Sequence, residues 1–397
     1  MRGEQAPPVR DQVCFSSIDW GYLWQGPQEV MSRFARSGSR VLFIENTGVR
    51  RPRLEDVGRL ASRLRSWRAA PRGSGRAGVD RLTILSPLVL PFPWSRLARI
   101  VNRLLFANGL PGQTARAGVR LPVVWTFLPN PLVLDSFRAL RPGRALAIYY
   151  CVADFEQVTD DPVALRRIED ELLREVDIVF AGGRVLEARL ATRHPRVVRA
   201  PFSVADAFFG AGTAVPADLA DIPHPRVGYV GGLHKHIDLP FLEGLVAALP
   251  EVSFVFIGPQ VSAPWALASR PNVHLLGRRE QPELPAYVDG MDVCIVPYQH
   301  SPFTETVWPT KLHEYLARGK PVVSTPLPEV LALGYEPAVV RVAATPVEAA
   351  EAVRAALRDS PDAGERRRAL AREHSWEKLL ELMRAEIERG IAARVDL

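Results

Sequence analysis

The chain has no long apolar run, few cysteines and no sequence typical of a secretion signal. A helix that spans a bilayer needs roughly 18 or more consecutive apolar residues. The longest apolar run, from Ala145 to Ala153, is only as long as a strand. The N-terminal sequence MRGEQAPPVRD has no apolar stretch ahead of a cleavage site. We therefore expect a cytoplasmic protein without a membrane-spanning helix.

Cysteine occurs three times, as Cys14, Cys151 and Cys294, each in or just after an expected strand. No two of them have CxxC spacing, and their number is odd, so a disulfide framework is not indicated. The pattern favours buried free thiols over a nucleophile or a metal ligand.

The length of 397 residues favours two domains, because one domain usually holds roughly 150 residues. Strand-like runs alternate with helical patterns in both halves, which is typical of βαβ units and parallel sheets. The expected class is α/β, with two Rossmann-like, doubly wound domains that face each other across a cleft. The expected parts are an N-terminal acceptor-binding domain (1–208), a Pro-containing linker (209–225), a C-terminal domain (226–374) and a C-terminal helix (375–397) that packs back on the N-terminal domain.

Positive charge is concentrated between Arg50 and Arg120, where fifteen arginines face only three acidic residues. Within this region Trp94 to Phe106, WSRLARIVNRLLF, has apolar residues at helical spacing and arginines on another side. This pattern fits an amphipathic helix on an anionic membrane surface, or equally a surface helix that packs on its own core. The arginines are not interleaved with stacking aromatics, so we expect no nucleic-acid partner.

The segment from Pro297 to Thr325, PYQHSPFTETVWPTKLHEYLARGKPVVST, predicts an anion-binding helix. Pro309 suits the first turn and Gly319 the C-terminal cap. Free N–H groups and the positive dipole end bind anions, and Lys311 in the first turn adds a full charge, so a diphosphate would fit there. Glu314, one turn further on, can accept hydrogen bonds from two adjacent ribose hydroxyls.

This segment resembles the donor-binding block of GT-B glycosyltransferases in the large retaining family that includes sucrose and mannosyl transferases. It is most similar to the teichuronic-acid and exopolysaccharide subgroup, which carries PxKxxEYLAxGKPVVST. Weaker matching pieces are GYVGG (228–232), FIGP (256–259), HLLGRR (274–279), MDVCIVPY (291–298), WQGPQ (24–28) and YYCVADF (149–155).

The resemblance implies transfer from a nucleoside-diphosphate sugar to a saccharide or lipid-linked saccharide, with retention and without a metal or other cofactor. Such enzymes build cell-envelope polysaccharides. By this resemblance Glu314 holds the ribose and Arg278 lines the base pocket. The remaining donor-binding residues would be Gly231, Gly232, Gly258, Thr310 and Lys311.

Two departures from the family concern charge. The family pairs two glutamates with seven residues between them, whereas Thr306 stands at the first position here and Glu305 is the nearest carboxylate. The family also has an arginine where this chain has Gly232, so the cation facing phosphate would come from Lys311, Lys235, His234 or His236.

Acceptor-side candidates come from the N-terminal half. Asp154 lies just past a strand end and is either a catalytic group toward the acceptor or a loop-capping aspartate. Trp24, Gln25 and Gln28 follow the first strand; they either line the acceptor site or pack within the domain.

Two other functions compete with a transferase. A scaffold with the same fold and impaired catalysis would bind nucleotide or membrane, and the altered glutamate spacing favours it. An NAD-dependent oxidoreductase would need GxGxxG at the first turn, but GYVGGLH and SSIDWGYLW both lack that spacing.

Overall fold

The computed structural model of the protein describes residues 10–21, 24–45, 48, 79–212, 214–261, 266–360 and 362–395. The chain forms two compact units. The first is Met1–Ala200 together with Leu380–Leu397, and the second is Pro201–Leu379.

The first unit is built on a seven-stranded sheet in which every neighbouring pair is parallel. Its strand order is β3-β2-β1-β4-β5-β6-β7. Runs such as VLFI and VVWT are buried on both faces, as strands of a parallel sheet covered by helices must be. The strands are β1 Gln12–Phe15, β2 Val41–Ile44, β3 Leu82–Leu85, β4 Val123–Thr126, β5 Leu146–Cys151, β6 Ile178–Ala181 and β7 Val197–Arg199.

The helices of the first unit begin at clear caps. The side chains of Ser95, Asn130 and Asp161 each accept a hydrogen bond from a backbone N–H in the first turn that follows. The helices are α1 Gly26–Arg36, α2 Arg96–Leu105, α3 Leu110–Arg116, α4 Pro131–Leu140, α5 Pro162–Leu173 and α6 Arg184–Ala191, with single turns at Ala107–Gly109, Arg141–Gly143 and Phe155–Gln157.

The second unit repeats the plan with six parallel strands in the order β10-β9-β8-β11-β12-β13. Chain order reverses between β8 and β11, and such a switch point leaves a crevice at the carboxyl ends of the strands. The strands are β8 Arg226–Val230, β9 Ser253–Ile257, β10 Val273–Gly277, β11 Val293–Val296, β12 Val322–Ser324 and β13 Val340–Val342.

The helices of the second unit cover both faces of this sheet. They are α7 Ala217–Ala220, α8 Leu239–Ala248, α9 Leu284–Asp289, α10 Thr310–Ala317, α11 Pro328–Leu331, α12 Pro346–Ala356 and α13 Asp362–Arg372. Single turns lie at Asp206–Phe209, Ala266–Ser269, Gln281–Glu283 and Thr304–Thr306. Both sheets therefore have the expected Rossmann-like, doubly wound form.

The last helix, α14 Trp376–Val395, starts in the second unit, and its residues from Leu380 onward belong to the first. There Glu386 pairs with Arg196 at 2.7 Å and Glu388 with Arg10 at 3.4 Å. The expectation that the C-terminal helix returns to the N-terminal domain is confirmed.

The boundary between the units differs from the one read from the sequence. It falls after Ala200 rather than after residue 208, and the segment expected as a linker (209–225) belongs to the second unit. Leu219 and Ile222 are the reason, because both are buried in the hydrophobic core of that unit.

The three cysteines are buried free thiols, as predicted. Burial raises the pKa of the Cys151 and Cys294 thiols to about 12, which makes them poor nucleophiles. Among the described residues, no helix combines the length and the apolar character needed to cross a bilayer.

Candidate functional site

The end of β8 forms a close backbone crossing in the second unit. Gly231 follows β8 with φ +151° and Gly258 follows β9 with φ +149°. A Cβ on Gly258 would lie 2.0 Å from the carbonyl oxygen of Gly231, and a Cβ on Gly231 would lie 2.3 Å from Cε of Lys311. Only glycine fits at either position, because both the backbone angle and the space exclude a side chain.

Lys311 therefore lies directly over the turn that ends β8. Its Nζ is 6.0 Å from the ring centre of Tyr229, which is fully buried. In the described part of the chain its ammonium makes no ion pair and no hydrogen bond. This leaves a positive charge available at the carboxyl end of the sheet.

Helix α10 begins at this same place. Pro309 is its N-cap, and no side chain caps the first turn. The structure thus puts Pro309 one position earlier than the first-turn placement expected from the sequence. The N–H groups of Thr310 and Leu312 donate to the carbonyl oxygens of Trp308 and Pro309, so it is the positive dipole end of α10 that adds to the potential of Lys311.

Glu314 lies one turn into α10 and is half-buried. Its carboxylate makes no hydrogen bond or ion pair with any described residue. Burial raises the pKa of this carboxyl above its ordinary value, and the charge of Lys311 opposes that shift. A carboxylate held in such surroundings without a partner is typical of a ligand-binding group.

Tyr315 fixes the position of α10 on the sheet. Its hydroxyl accepts a hydrogen bond from the N–H of Val230 at 2.9 Å and lies 3.4 Å from the carbonyl oxygen of the same residue. The neighbouring hydroxyls of Tyr229 and Tyr298 are 3.5 Å apart. We did not single out these three tyrosines from the sequence. The tyrosines in GYVGG, VPY and HEYLA were a signal, because a buried tyrosine hydroxyl needs a polar partner.

Two histidines follow the glycine turn. Burial, with the added effects of His236 and Lys311, lowers the pKa of His234 to about 4. Burial and then Lys235 also lower the pKa of His236, whose ring stacks on Phe303 with centres 4.4 Å apart. Lys235 itself is exposed. Both imidazoles are therefore neutral at neutral pH, so they can donate hydrogen bonds but supply little charge.

The structure does not join every predicted donor residue to this group. Glu305 is partly exposed and lies 3.5 Å from Nε2 of His300. Arg278 is exposed, 3.6 Å from Glu280. Neither makes a hydrogen bond or ion pair with Lys311 within the described residues. Thr310 and Gly232, by contrast, adjoin Lys311 and Gly231 in the chain. The roles of all these residues stay predictions.

In the first unit, Asp154 lies just after β5, and of its two predicted roles the structure shows loop capping. It caps a short turn, accepting a hydrogen bond from the N–H of Glu156 at 3.2 Å. It also pairs with Arg189 at 2.9 Å. Arg189 also forms an ion pair with Glu169 at 3.6 Å, and Glu169 is almost fully buried. Asp154 is thus an oriented carboxylate, and its role toward an acceptor stays a prediction.

The residues after β1 serve mainly the start of α1. Gln25 and Gln28 form a reciprocal capping box, and Gln28 is fully buried. Trp24 is 37% exposed and donates through Nε1 to Glu29 at 2.5 Å. Of the three, Trp24 is therefore the one with an accessible ring, and contact with an acceptor stays a prediction for each.

Much of the basic region, residues 49–78, lies outside the described residues. Helix α2, inside the remainder, packs through Ala98 and Asn102. Most of its apolar stripe is exposed: Leu97 is 71% exposed and Leu104 65%. The helix therefore packs on its unit through another edge, and contact of the stripe with a membrane stays a prediction.

Comparison with known proteins agrees with this fold. Residues 224–359, which include Gly231, Lys311 and Glu314, match the family described as Glycosyl transferases group 1. The fold is the GT-B fold, and this part of the chain is similar to a glycosyl transferase domain.

Particular relatives come from several bacteria. TuaH of Bacillus subtilis strain 168, named as a teichuronic acid biosynthesis glycosyltransferase, is 35% identical over 106 residues, or 26% of this chain. The match spans only 27% of the length of that relative. Among solved structures, sucrose-phosphate synthase from Thermosynechococcus elongatus has a TM-score of 0.66 at 16% identity, covering 97% of this chain and all of the other. Anabaena HepE, solved in complex with UDP and glucose, has a TM-score of 0.64 at 13% identity, covering 98% of this chain and all of the other.

Proposed function

We propose that this chain transfers a glycosyl group from a nucleoside-diphosphate sugar to a saccharide or lipid-linked saccharide acceptor. The observation that carries the proposal is the arrangement of Lys311 over Gly231, with the unpaired carboxylate of Glu314 one helical turn away. An ammonium at a helix start suits a diphosphate, and a carboxylate one turn further on suits ribose hydroxyls.

The donor would lie against the start of α10. Lys311 and the positive dipole end of α10 would neutralise the diphosphate, and the glycine turn after β8 would let it approach the backbone. Neutral His234 and His236 would add hydrogen bonds, and Glu314 would accept from the ribose hydroxyls. The UDP complex of HepE supports a nucleotide of this kind, because HepE shares the fold.

We propose a reaction with retention that uses no metal ion. The bond between the anomeric carbon and the diphosphate oxygen breaks, a bond to the acceptor oxygen forms on the same face, and the acceptor proton passes to the departing diphosphate. Lys311 would stabilise the charge that develops on the leaving group. Glu305 would contact the donor sugar, and Asp154 would orient the acceptor hydroxyl.

The acceptor and location follow from the same reasoning. TuaH is named for teichuronic acid biosynthesis, which supports a role in cell-envelope polysaccharide assembly. We place the protein in the cytoplasm, peripheral to the inner face of the plasma membrane, where lipid-linked acceptors lie. Trp24 would line the acceptor side, with Gln25 and Gln28 holding its loop, and the basic region would face anionic lipid.

A melting experiment with nucleoside diphosphates and their sugar derivatives tests the donor site. A ligand at about 100 times its Kd adds about 2.7 kcal/mol to the free energy of unfolding, so a clear rise in Tm is expected for one nucleotide class. Glu314→Gln should reduce that rise, whereas Glu351→Gln, a change at an exposed helix position, should not. If no nucleotide raises Tm, the donor site is wrongly assigned.

Product analysis then separates an enzyme from a scaffold. Transfer or slow hydrolysis of the stabilising sugar nucleotide, unchanged by EDTA, supports a metal-independent enzyme, and the anomeric coupling of the product by NMR reports retention. Stabilisation by nucleotide without any turnover would favour the scaffold, for which the glutamate spacing around Glu305 is the structural argument.

A further inference from the structure

Helix α2 carries an exposed apolar stripe with arginines along one edge. Leu97, Ile100, Leu104 and Leu105 are between 59% and 71% exposed and recur at the spacing that places side chains on one side of a helix. We call these four residues the α2 surface. Single exposed leucines are common, but four together on one helix indicate an interaction site.

The α2 helix is rigidly held along a different edge. Asn102 is buried and forms two hydrogen bonds with the backbone of Leu90, at 2.7 and 3.0 Å. Ser95 caps the first turn. Because the helix is anchored from this edge, the α2 surface faces outward in a folded unit, and its exposure does not result from a frayed helix.

A pocket that contains three arginines adjoins the α2 surface. It has a volume of about 390 Å³, and its lining includes Ile100, Arg99, Arg103, Asp135 and Arg138. Two of the arginines are matched by carboxylates: Arg99 forms a bidentate pair with Asp135, at 2.8 and 3.0 Å, and Arg138 pairs with Glu171 and Glu175, at 3.0 and 3.2 Å. Arg103 makes no hydrogen bond or ion pair within the described residues, so it is the lining arginine whose charge is available to an anion.

This combination fits one kind of partner, an anionic bilayer. An apolar stripe beside arginines is the pattern of a helix that lies in the membrane interface, with apolar side chains in the acyl region and arginines at the phosphates. We propose that the α2 surface inserts into an anionic bilayer and that Arg103, which lines the adjoining pocket, binds the phosphate of a lipid headgroup. The inference rests on the proposed function in that it names the membrane partner of the acceptor side.

The test is sedimentation of the full chain with vesicles of phosphatidylcholine, alone or mixed with phosphatidylglycerol. Wild type should bind the mixed vesicles more tightly. The double variant Leu97→Ser, Leu104→Ser should lose at least about tenfold in partitioning, because both side chains leave the acyl region. The double variant Leu331→Ser, Val347→Ser removes exposed apolar side chains elsewhere and should bind as wild type does.

Two arginine variants test the pocket. Each arginine at an anionic surface contributes about fivefold in binding. Arg103 lines the pocket, whereas Arg96, on the same helix, does not. Arg103→Gln should therefore weaken binding to the mixed vesicles more than Arg96→Gln does, with little effect on phosphatidylcholine vesicles. Equal losses from both variants would overturn the headgroup site and indicate a diffuse charge effect only.

Other results would overturn the membrane surface itself. These are no vesicle binding by wild type, unchanged binding by the double leucine variant, or a shift of that variant from dimer to monomer, which would indicate a second copy as the occupant. A melting shift with UDP or GDP, measured on the same proteins, keeps this inference separate from the proposed function. Nucleotide binding without vesicle binding refutes only the membrane role of the α2 surface. Vesicle binding without nucleotide binding refutes only the proposed transferase function.

Discussion

The charge on Lys311 should dominate binding of the donor diphosphate. The competing cations are Lys235, which is exposed, and the two imidazoles. The pKa of His234 is lowered to about 4, so about one molecule in a thousand carries the charge on that ring at neutral pH. A lysine ammonium is charged there. Lys311→Met should therefore remove the main positive charge that faces the ligand while leaving the glycine turn in place.

The expected sizes of the two losses differ by about an order of magnitude. A hydrogen bond to a charged group contributes about 1.5–3 kcal/mol, so Lys311→Met should raise the Kd for a nucleoside diphosphate by about 10- to 150-fold. A bond from a neutral imidazole contributes about 0.5–1.5 kcal/mol, so His234→Gln should raise it by about 2- to 13-fold.

Calorimetric titration with UDP, UMP, GDP and GMP measures these effects. The difference between diphosphate and monophosphate should shrink in Lys311→Met, as should the salt dependence of binding. Lys378→Met, which alters an exposed ion pair with Glu373, is the control for a lysine-to-methionine change and should bind as wild type does. The reasoning is refuted if His234→Gln is the more damaging variant, or if wild-type affinity falls as pH rises through the ordinary histidine range.

Three further changes test the surroundings of the site. Glu314→Gln should stabilise the free protein at neutral pH, because the raised pKa of Glu314 means that its ionisation destabilises the folded state. The same variant should bind nucleotide about tenfold more weakly. Tighter binding in calorimetry would contradict a role of Glu314 in holding the ribose. Gly258→Ala should lower the free energy of unfolding by about 2–4 kcal/mol, measured by urea titration, since its Cβ meets the carbonyl oxygen of Gly231 at 2.0 Å; a neutral result would contradict the backbone crossing. The ring centres of His313 and His374 lie 4.0 Å apart, and burial lowers the pKa of both histidines. Their contribution to the free energy of unfolding should therefore be complete above the unfolded histidine pKa of about 6.5 and decline as pH falls below it. His313→Phe should reduce that decline in urea titrations at several pH values, and an unchanged pH dependence would refute the argument.

The sequence predicts the interior of both sheets well. The strand-like runs LTIL, RVGYV and VCIV form the strands Leu82–Leu85, Arg226–Val230 and Val293–Val296. They are mainly apolar runs bounded by polar or turn residues, which is a strong local signal. The strands Val197–Arg199 and Val340–Val342 lack such a signal. Each of these two strands has three residues and lies at a sheet edge. Neither is long enough, or buried continuously enough, to give a clear strand pattern in the sequence.

The candidate site was predictable within one helix but not across the sheet. Helical spacing alone relates Lys311 to Glu314. The contact of Lys311 with Gly231 depends on the packing of α10 against β8, to which the hydroxyl of Tyr315 contributes. Likewise, the apolar pattern of α2 is plain in the sequence, but its exposure is not. Periodicity defines a face and does not say what that face meets.

The residues proposed to bind the donor include positions that lower the stability of the folded second unit. Gly258 holds a left-handed backbone angle beside a close backbone crossing, and the carboxyl of Glu314 has a raised pKa. Neither feature helps the free protein to fold, and a bound nucleotide would use both: phosphate approaches the glycine turn, and ribose hydroxyls solvate the carboxylate. Two local costs that one ligand class uses together are more specific than either alone, because unrelated structural causes would not be expected to converge at the carboxyl edge of one sheet.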